Sequence, residues 1–213
     1  MLKKFLLAIV LQILFIASTV NAEPNIIEMP VPFSDYRDEL TRQYTMNHYG
    51  FSTTTIDPRA VVVHWTAGNT WESAYKIFYD DLLWDGEVNV SSQFIVDRDG
   101  TIYRLMPETK LARHAIGYNW CAIGIENVGG VDGVEDLTVA QLKANIELIR
   151  YLHEKYPTIE YVFGHYQQIQ ARESGLYIEL VPDYFAGKPD PGSIFMQALQ
   201  DELSADGLKF FPA

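Results

Sequence analysis

Apolar positions along the chain fall into short unbroken runs and longer periodic stretches, and the two kinds alternate. Val61-Val62-Val63, inside residues 59–66, is a β-branched run suited to a buried strand. Residues 93–96 and 101–105 are apolar runs flanking Asp97-Arg98-Asp99-Gly100. Asp and Gly tolerate the backbone of a tight turn, so the pair predicts a hairpin. Residues 122–128, closed by Gly129-Gly130, and residues 159–164 predict two more strands. Helical segments are expected from 33 to about 44, over 70–81, from Thr138, and over Ser193–Leu203. Thr138 with Gln141 makes a capping box, Leu142, Ile146, Ile149 and Leu152 give the apolar stripe, and Pro157 stops the helix. Residues 23–32 carry three Pro and read as an extended leader. Strands and helices interleave around one hairpin. The expected fold is therefore α/β, a single domain with a mixed central β-sheet and helices packed on its faces.

The first residues read differently. Lys3 and Lys4 precede an apolar run over 5–17, and Val20 and Ala22 are placed as a small-residue cleavage signal. A signal peptide over 1–22 is expected, then an N-terminal extension over 23–57 and the main domain over 58–213. The apolar run is too short to favour a spanning helix, and no Cys follows the cut, so no stable membrane anchor is expected. Sixteen Lys+Arg against 28 Asp+Glu give a net charge of −12, which argues against a nucleic-acid partner. The single Cys121 excludes an intrachain disulfide and a multi-cysteine metal site. A monomer is expected.

Charge and composition leave the chemistry to a few side chains. His64 follows the Val run, and His165 follows Tyr161-Val162-Phe163-Gly164, so both stand at strand ends, where α/β folds build their sites. Two imidazoles and a carboxylate can hold a divalent metal with one position open to water. Asp190, in Lys188-Pro189-Asp190-Pro191-Gly192, is the candidate carboxylate, although Asp before Pro also suits a helix N-cap. Glu126 lies on the apolar strand Gly124-Ile125-Glu126-Asn127-Val128, where a carboxylate is costly unless paired, functional or solvent-facing. His48 and His153 read as packing and surface residues. Trp71, Trp84 and Trp120 could stack on sugars or serve as half-buried anchors. Asn89-Val90-Ser91 has the form of a glycosylation sequon.

Several motifs then fall in a familiar order: Val63-His64-Trp65-Thr66-Ala67, the hairpin from Gln93 to Tyr103, Arg113-His114-Ala115, Ile123-Gly124-Ile125-Glu126-Asn127, Gly164-His165, and Lys188 to Gly192. Together they resemble the zinc-dependent N-acetylmuramoyl-L-alanine amidases of type 2, the superfamily of phage lysozyme-amidases and peptidoglycan recognition proteins. The resemblance implies hydrolysis of the bond between N-acetylmuramic acid and L-alanine in peptidoglycan or its fragments. It implies Zn2+ held by His64, His165 and Asp190, Glu126 and Lys188 as catalytic residues, and His114 and Asn127 as substrate-binding residues. Periplasmic action on peptidoglycan or muropeptides follows. The phage branch carries Tyr and His where this chain has Ser92 and Gln93, which puts more weight on Glu126. A non-catalytic peptidoglycan-binding module and a zinc peptidase acting within the stem peptide are the alternatives. Residues 166–187 form a stretch longer than in relatives; it reads as a surface insertion packed on itself or as a lip over the groove. It leaves Asp183 or Glu173 open as the third ligand.

Overall fold

The computed structural model describes residues 22–212, so the signal peptide expected over 1–22 lies outside the described residues but for Ala22. The β-branched run is the centre of the sheet. β2 (Ala60–Trp65) is buried at every position and pairs in parallel with β5 (Ala122–Asn127) and β6 (Tyr161–Gly164). Beyond β5 lies the expected hairpin: β3 (Phe94–Val96) runs parallel to β5 and antiparallel to β4 (Ile102–Arg104). β1 (Ile26–Glu28) runs parallel to β4, which gives a six-stranded sheet of order β1-β4-β3-β5-β2-β6. The expected class, a single α/β domain on a mixed sheet, is the observed one.

Successive strand residues face opposite sides. Val61, Val63, Ile123, Ile125 and Val162 point into one core, and Ala60, Val62, Ala122 and Phe163 into another. α3 (Val139–Lys155) and α4 (Ser193–Leu203) cover the first side with Leu148, Leu152, Leu199 and Leu203. The second side is closed by Ala115, Tyr118, Ala171 and Leu176, and beside them by Ala74 and Phe78 of α2 (Trp71–Tyr79) against Ile95 and Leu105. α1 (Asp35–Tyr49) packs Leu40, Tyr44 and Tyr49 with Val88.

Three elements differ from the sequence expectation. The extended leader is paired into the sheet as a strand: past β1, Met29 and Val31 donate their N–H groups to the Arg104 and Leu105 carbonyls at 2.9 Å. An edge strand bonds on one side only, so flanking Pro does not forbid it. α1 runs five residues past the expected end, to a left-handed Gly50 (φ 78°), because Thr45, His48 and Tyr49 extend its buried face. α3 is rotated from the expected stripe: Leu142 and Ile146 are half-buried, and Gln141, Ala144, Asn145 and Leu148 face the sheet. Two polar residues lie on this face because they close the sheet's end. Gln141 Nε2 donates to the Val96 and Val128 carbonyls, at 3.1 and 2.9 Å. Asn145 Nδ2 donates to Asn127 Oδ1 at 2.7 Å, and Asn127 Nδ2 donates to the His64 carbonyl at 3.0 Å.

The last chain of bonds supports a stability prediction. Asn145→Ala leaves the buried Asn127 oxygen without its donor, a loss of about 1–3 kcal/mol, read as a lower denaturant midpoint. A midpoint equal to that of the wild type would count against this account. Among the described residues, no helix is long and apolar enough to cross a membrane. Cys121 is free and fully buried, and burial pushes its thiol up to about 12.

Candidate metal centre

The C-terminal ends of the parallel strands β2, β5 and β6 open into a cavity of about 610 Å3. Strand parity fills it. His64 has the parity of Ala60 and Val62, and Glu126 that of Ala122 and Gly124, so both leave the sheet on the cavity side. The register sets His64 beside Glu126 on neighbouring strands. His165 follows β6 in a short 3-10 turn, and Asp190 arrives from the loop before α4, where Tyr166 N–H donates to its carbonyl at 2.9 Å.

His64 Nδ1, His165 Nδ1 and Asp190 Oδ2 form a triangle with sides of 3.0, 3.0 and 3.3 Å. All three residues are buried. Burial, then the neighbouring His165, pulls His64 down to about 4 against the opposing pull of Asp190, so its imidazole is neutral. Burial works against the ionised Asp190, but its contacts with His165 and His64 outweigh that and hold it below the usual carboxylate range. Two ring nitrogens and a carboxylate oxygen thus converge on one point. A divalent cation satisfies such a set, and sides near 3 Å suit three donors about 2 Å from a common centre. The donor set fits a metal. Asp183 is exposed and stands outside the triangle, so neither it nor Glu173 supplies the third donor.

Glu126 presents a carboxylate whose Oε2 is buried and without a hydrogen-bond partner. Burial, then the negative Asp190, pushes its carboxyl well above the usual range, with Lys188 pulling the other way. Lys188 itself is exposed on the cavity wall. His114 lines the cavity too, but both its nitrogens are engaged, Nδ1 with His64 Nε2 and Nε2 with the Ala122 carbonyl, each at 3.1 Å. Asn127 does not line it. Strand alternation turns it to the opposite side from Glu126, and its amide is spent on His64 and Asn145, so the expected substrate contact is corrected to a brace beneath β2.

Other candidates resolve simply. His48 sits between Glu87 and Glu179, 2.9 Å from each, and His153 bonds the Ile159 carbonyl. Asn89 is buried and donates to the Ile77 and Asp80 carbonyls, so the sequon is not an accessible acceptor. Trp71 stacks on Tyr103, Trp120 donates to the Leu176 carbonyl, and Trp84 is 92% exposed. Ser92 and Gln93 donate to the Phe94 and Lys110 carbonyls, and Gln93 Oε1 accepts from Gly124 N–H at 2.7 Å. The 166–187 stretch packs both on itself, with Arg172 over the Tyr177 and Phe185 rings and Gln168 Nε2 donating to the Ala186 carbonyl, and against its neighbours. Ile178 N–H donates to Gly117, Leu180 N–H to His48, and Arg113 to the Tyr184 hydroxyl at 2.6 Å. Tyr184 and Ala186 thereby form part of the cavity wall. Arg113 stood in the Arg113-His114-Ala115 motif, but nothing in the sequence pattern paired it with Tyr184; that signal is spatial.

Comparison with known proteins places the chain in one family and fold. The model of the N-acetylmuramoyl-L-alanine amidase family, Amidase_2, matches residues 54–193. The endolysins of Escherichia phage T7 and Enterobacteria phage T3 are each 36% identical over 75 residues, which is 33% of this chain and 50% of theirs. The chain thus spans about half the length of the curated relatives it matches. In fold it is similar to the amidase LysC of Clostridium intestinale URNW, with a TM-score of 0.55 and 24% identity over 88% of this chain and 100% of that one. Bumblebee PGRP-SA gives a TM-score of 0.54 and 20% identity over 89% and 99%.

Proposed function

The chain belongs to the N-acetylmuramoyl-L-alanine amidase family, and from that premise we propose that it is a zinc-dependent hydrolase of the amide between N-acetylmuramic acid and L-alanine in peptidoglycan or its fragments. The observation that carries this reading is the His64–His165–Asp190 triangle beside a buried, unpartnered carboxylate. When bound there, Zn2+ polarises a carbonyl, brings the pKa of water toward ~7 and offsets the push of Asp190 on Glu126. The protein's own groups do the rest. Glu126, with a free Oε2, takes a proton from the attacking water and passes it to the leaving amine. Lys188, on the wall, faces the oxygen on which negative charge develops, a contribution of about 3 kcal/mol per donor. Tyr184 and Ala186 complete the wall of the cavity along which the substrate would lie. The periplasm is the site of action in this reading.

Digestion of purified peptidoglycan and of muropeptides, read by mass, tests it. New L-alanine amino termini and peptide-free glycan are expected. Cleavage inside the stem would instead assign a peptidase, and binding without new termini a recognition module.

A further inference from the structure

His114 lies on the cavity wall, yet its contacts point at the metal triangle rather than at a substrate. Its Nε2 is 3.1 Å from the Ala122 carbonyl oxygen, and its Nδ1 is 3.1 Å from His64 Nε2. A carbonyl only accepts, so His114 Nε2 carries the proton. In a neutral ring Nδ1 is then an acceptor, so His64 Nε2 must donate to it. That leaves the His64 Nδ1 lone pair facing His165 Nδ1 and Asp190 Oδ2. The reverse order would set a bare nitrogen of His114 against the Ala122 oxygen. One main-chain carbonyl therefore fixes the polarity of the whole chain.

A second feature shows the ring is seated. A Cβ on Gly124 would come within 2.9 Å of His114 Cγ and Cδ2, so the imidazole lies in a notch that only glycine leaves open. The backbone before the ring is held as well: Asn119 Oδ1 accepts from the N–H groups of His114 and Ala115, at 2.8 and 2.6 Å. Asn119 in turn donates to the Tyr44 hydroxyl of α1 at 3.0 Å. Along β5, Ala122 supplies the carbonyl, Gly124 the notch and Glu126 the carboxylate, at alternate residues on the cavity side.

We propose that His114 is a positioning residue: seated on Gly124 and oriented by the Ala122 carbonyl, it holds His64 in the tautomer and rotation that present Nδ1 to the metal. This rests on the zinc reading above. Partners of this kind set ligand orientation and typically govern metal affinity by 10–100-fold.

The test measures zinc dissociation constants by chelator competition in the wild type, His114→Leu, His114→Asn and Gly124→Ala. Visible spectra of the cobalt-substituted forms and melting curves of the metal-free forms accompany them. His114→Leu fills the space but cannot accept a hydrogen bond, and roughly 10–100-fold weaker zinc binding is expected, with a shifted cobalt spectrum. His114→Asn places an amide oxygen near the former Nδ1 and should recover most of the affinity. Gly124→Ala, which keeps both imidazoles but displaces one, should weaken zinc in the same direction. If His114→Leu does not fold, the comparison of Gly124→Ala and His114→Asn with the wild type still decides. Wild-type affinity in the Leu and Ala variants, or no recovery in Asn relative to Leu, would overturn the positioning role. A wild type that takes up no zinc would overturn the metal reading itself, a separate outcome read in a separate arm.

Discussion

His165→Ala is expected to yield a folded protein that retains no zinc and hydrolyses no muramoyl amide above background. His165 Nδ1 is one corner of the triangle, 3.0 Å from His64 Nδ1 and 3.3 Å from Asp190 Oδ2. Catalytic zinc sites use three protein ligands and an open position, and two ligands do not hold the ion against water and buffer. The fold should survive because the turn is closed by other groups. Gln168 N–H donates to the His165 carbonyl, and Gln167 Oε1 accepts from Gly164 N–H at 2.9 Å. Elemental analysis beside a melting curve separates the two effects. Asp190→Ala should behave alike, whereas the exposed Asp183→Ala should keep metal and rate. Metal retained at wild-type stoichiometry in His165→Ala would remove His165 from the ligand set.

The strand framework was readable because buried β-branched runs declare themselves locally. β2, β5 and β6 begin and end within a residue or two of the expected bounds. His64, Glu126 and His165 were readable for the same reason, since their position at strand ends follows from the runs before them. Asp190 was less so. It lies in a loop whose meaning depends on a meeting with His64, 126 residues away; the sequence offered it as the candidate carboxylate beside an equally good reading as a helix N-cap, and the resemblance of the surrounding motif favoured the first. Asn145 and Gln141 misled the stripe of α3 because a helix face that closes a sheet's end needs amides, which a hydrophobic pattern counts as solvent-facing. The β1 strand hid behind its prolines. The 166–187 stretch was opaque because its bonds run to α1 and to the loop around Gly117, contacts with no local period.

Glu126→Gln is expected to keep zinc and fold while losing roughly 10²–10⁴-fold in turnover. The substitution preserves shape and removes only the capacity to take and return a proton. The structure makes it an unusually clean exchange. Glu126 Oε2 has no hydrogen-bond partner, so the new amide breaks no bond at that atom. A buried carboxylate beside Asp190 is also costly to ionise, as the upward push of burial and of Asp190 on its carboxyl shows. A neutral amide is freed from that repulsion, so the variant should melt at or above the wild-type temperature. His64, opposite it in the register, keeps its bond to His114, and the metal triangle is untouched. Three readings on one preparation are therefore expected to diverge: turnover falls, zinc content holds, and melting temperature holds or rises. Zinc lost together with turnover would make Glu126 a support of the metal site rather than the proton carrier, and an undiminished rate would remove it from the chemistry.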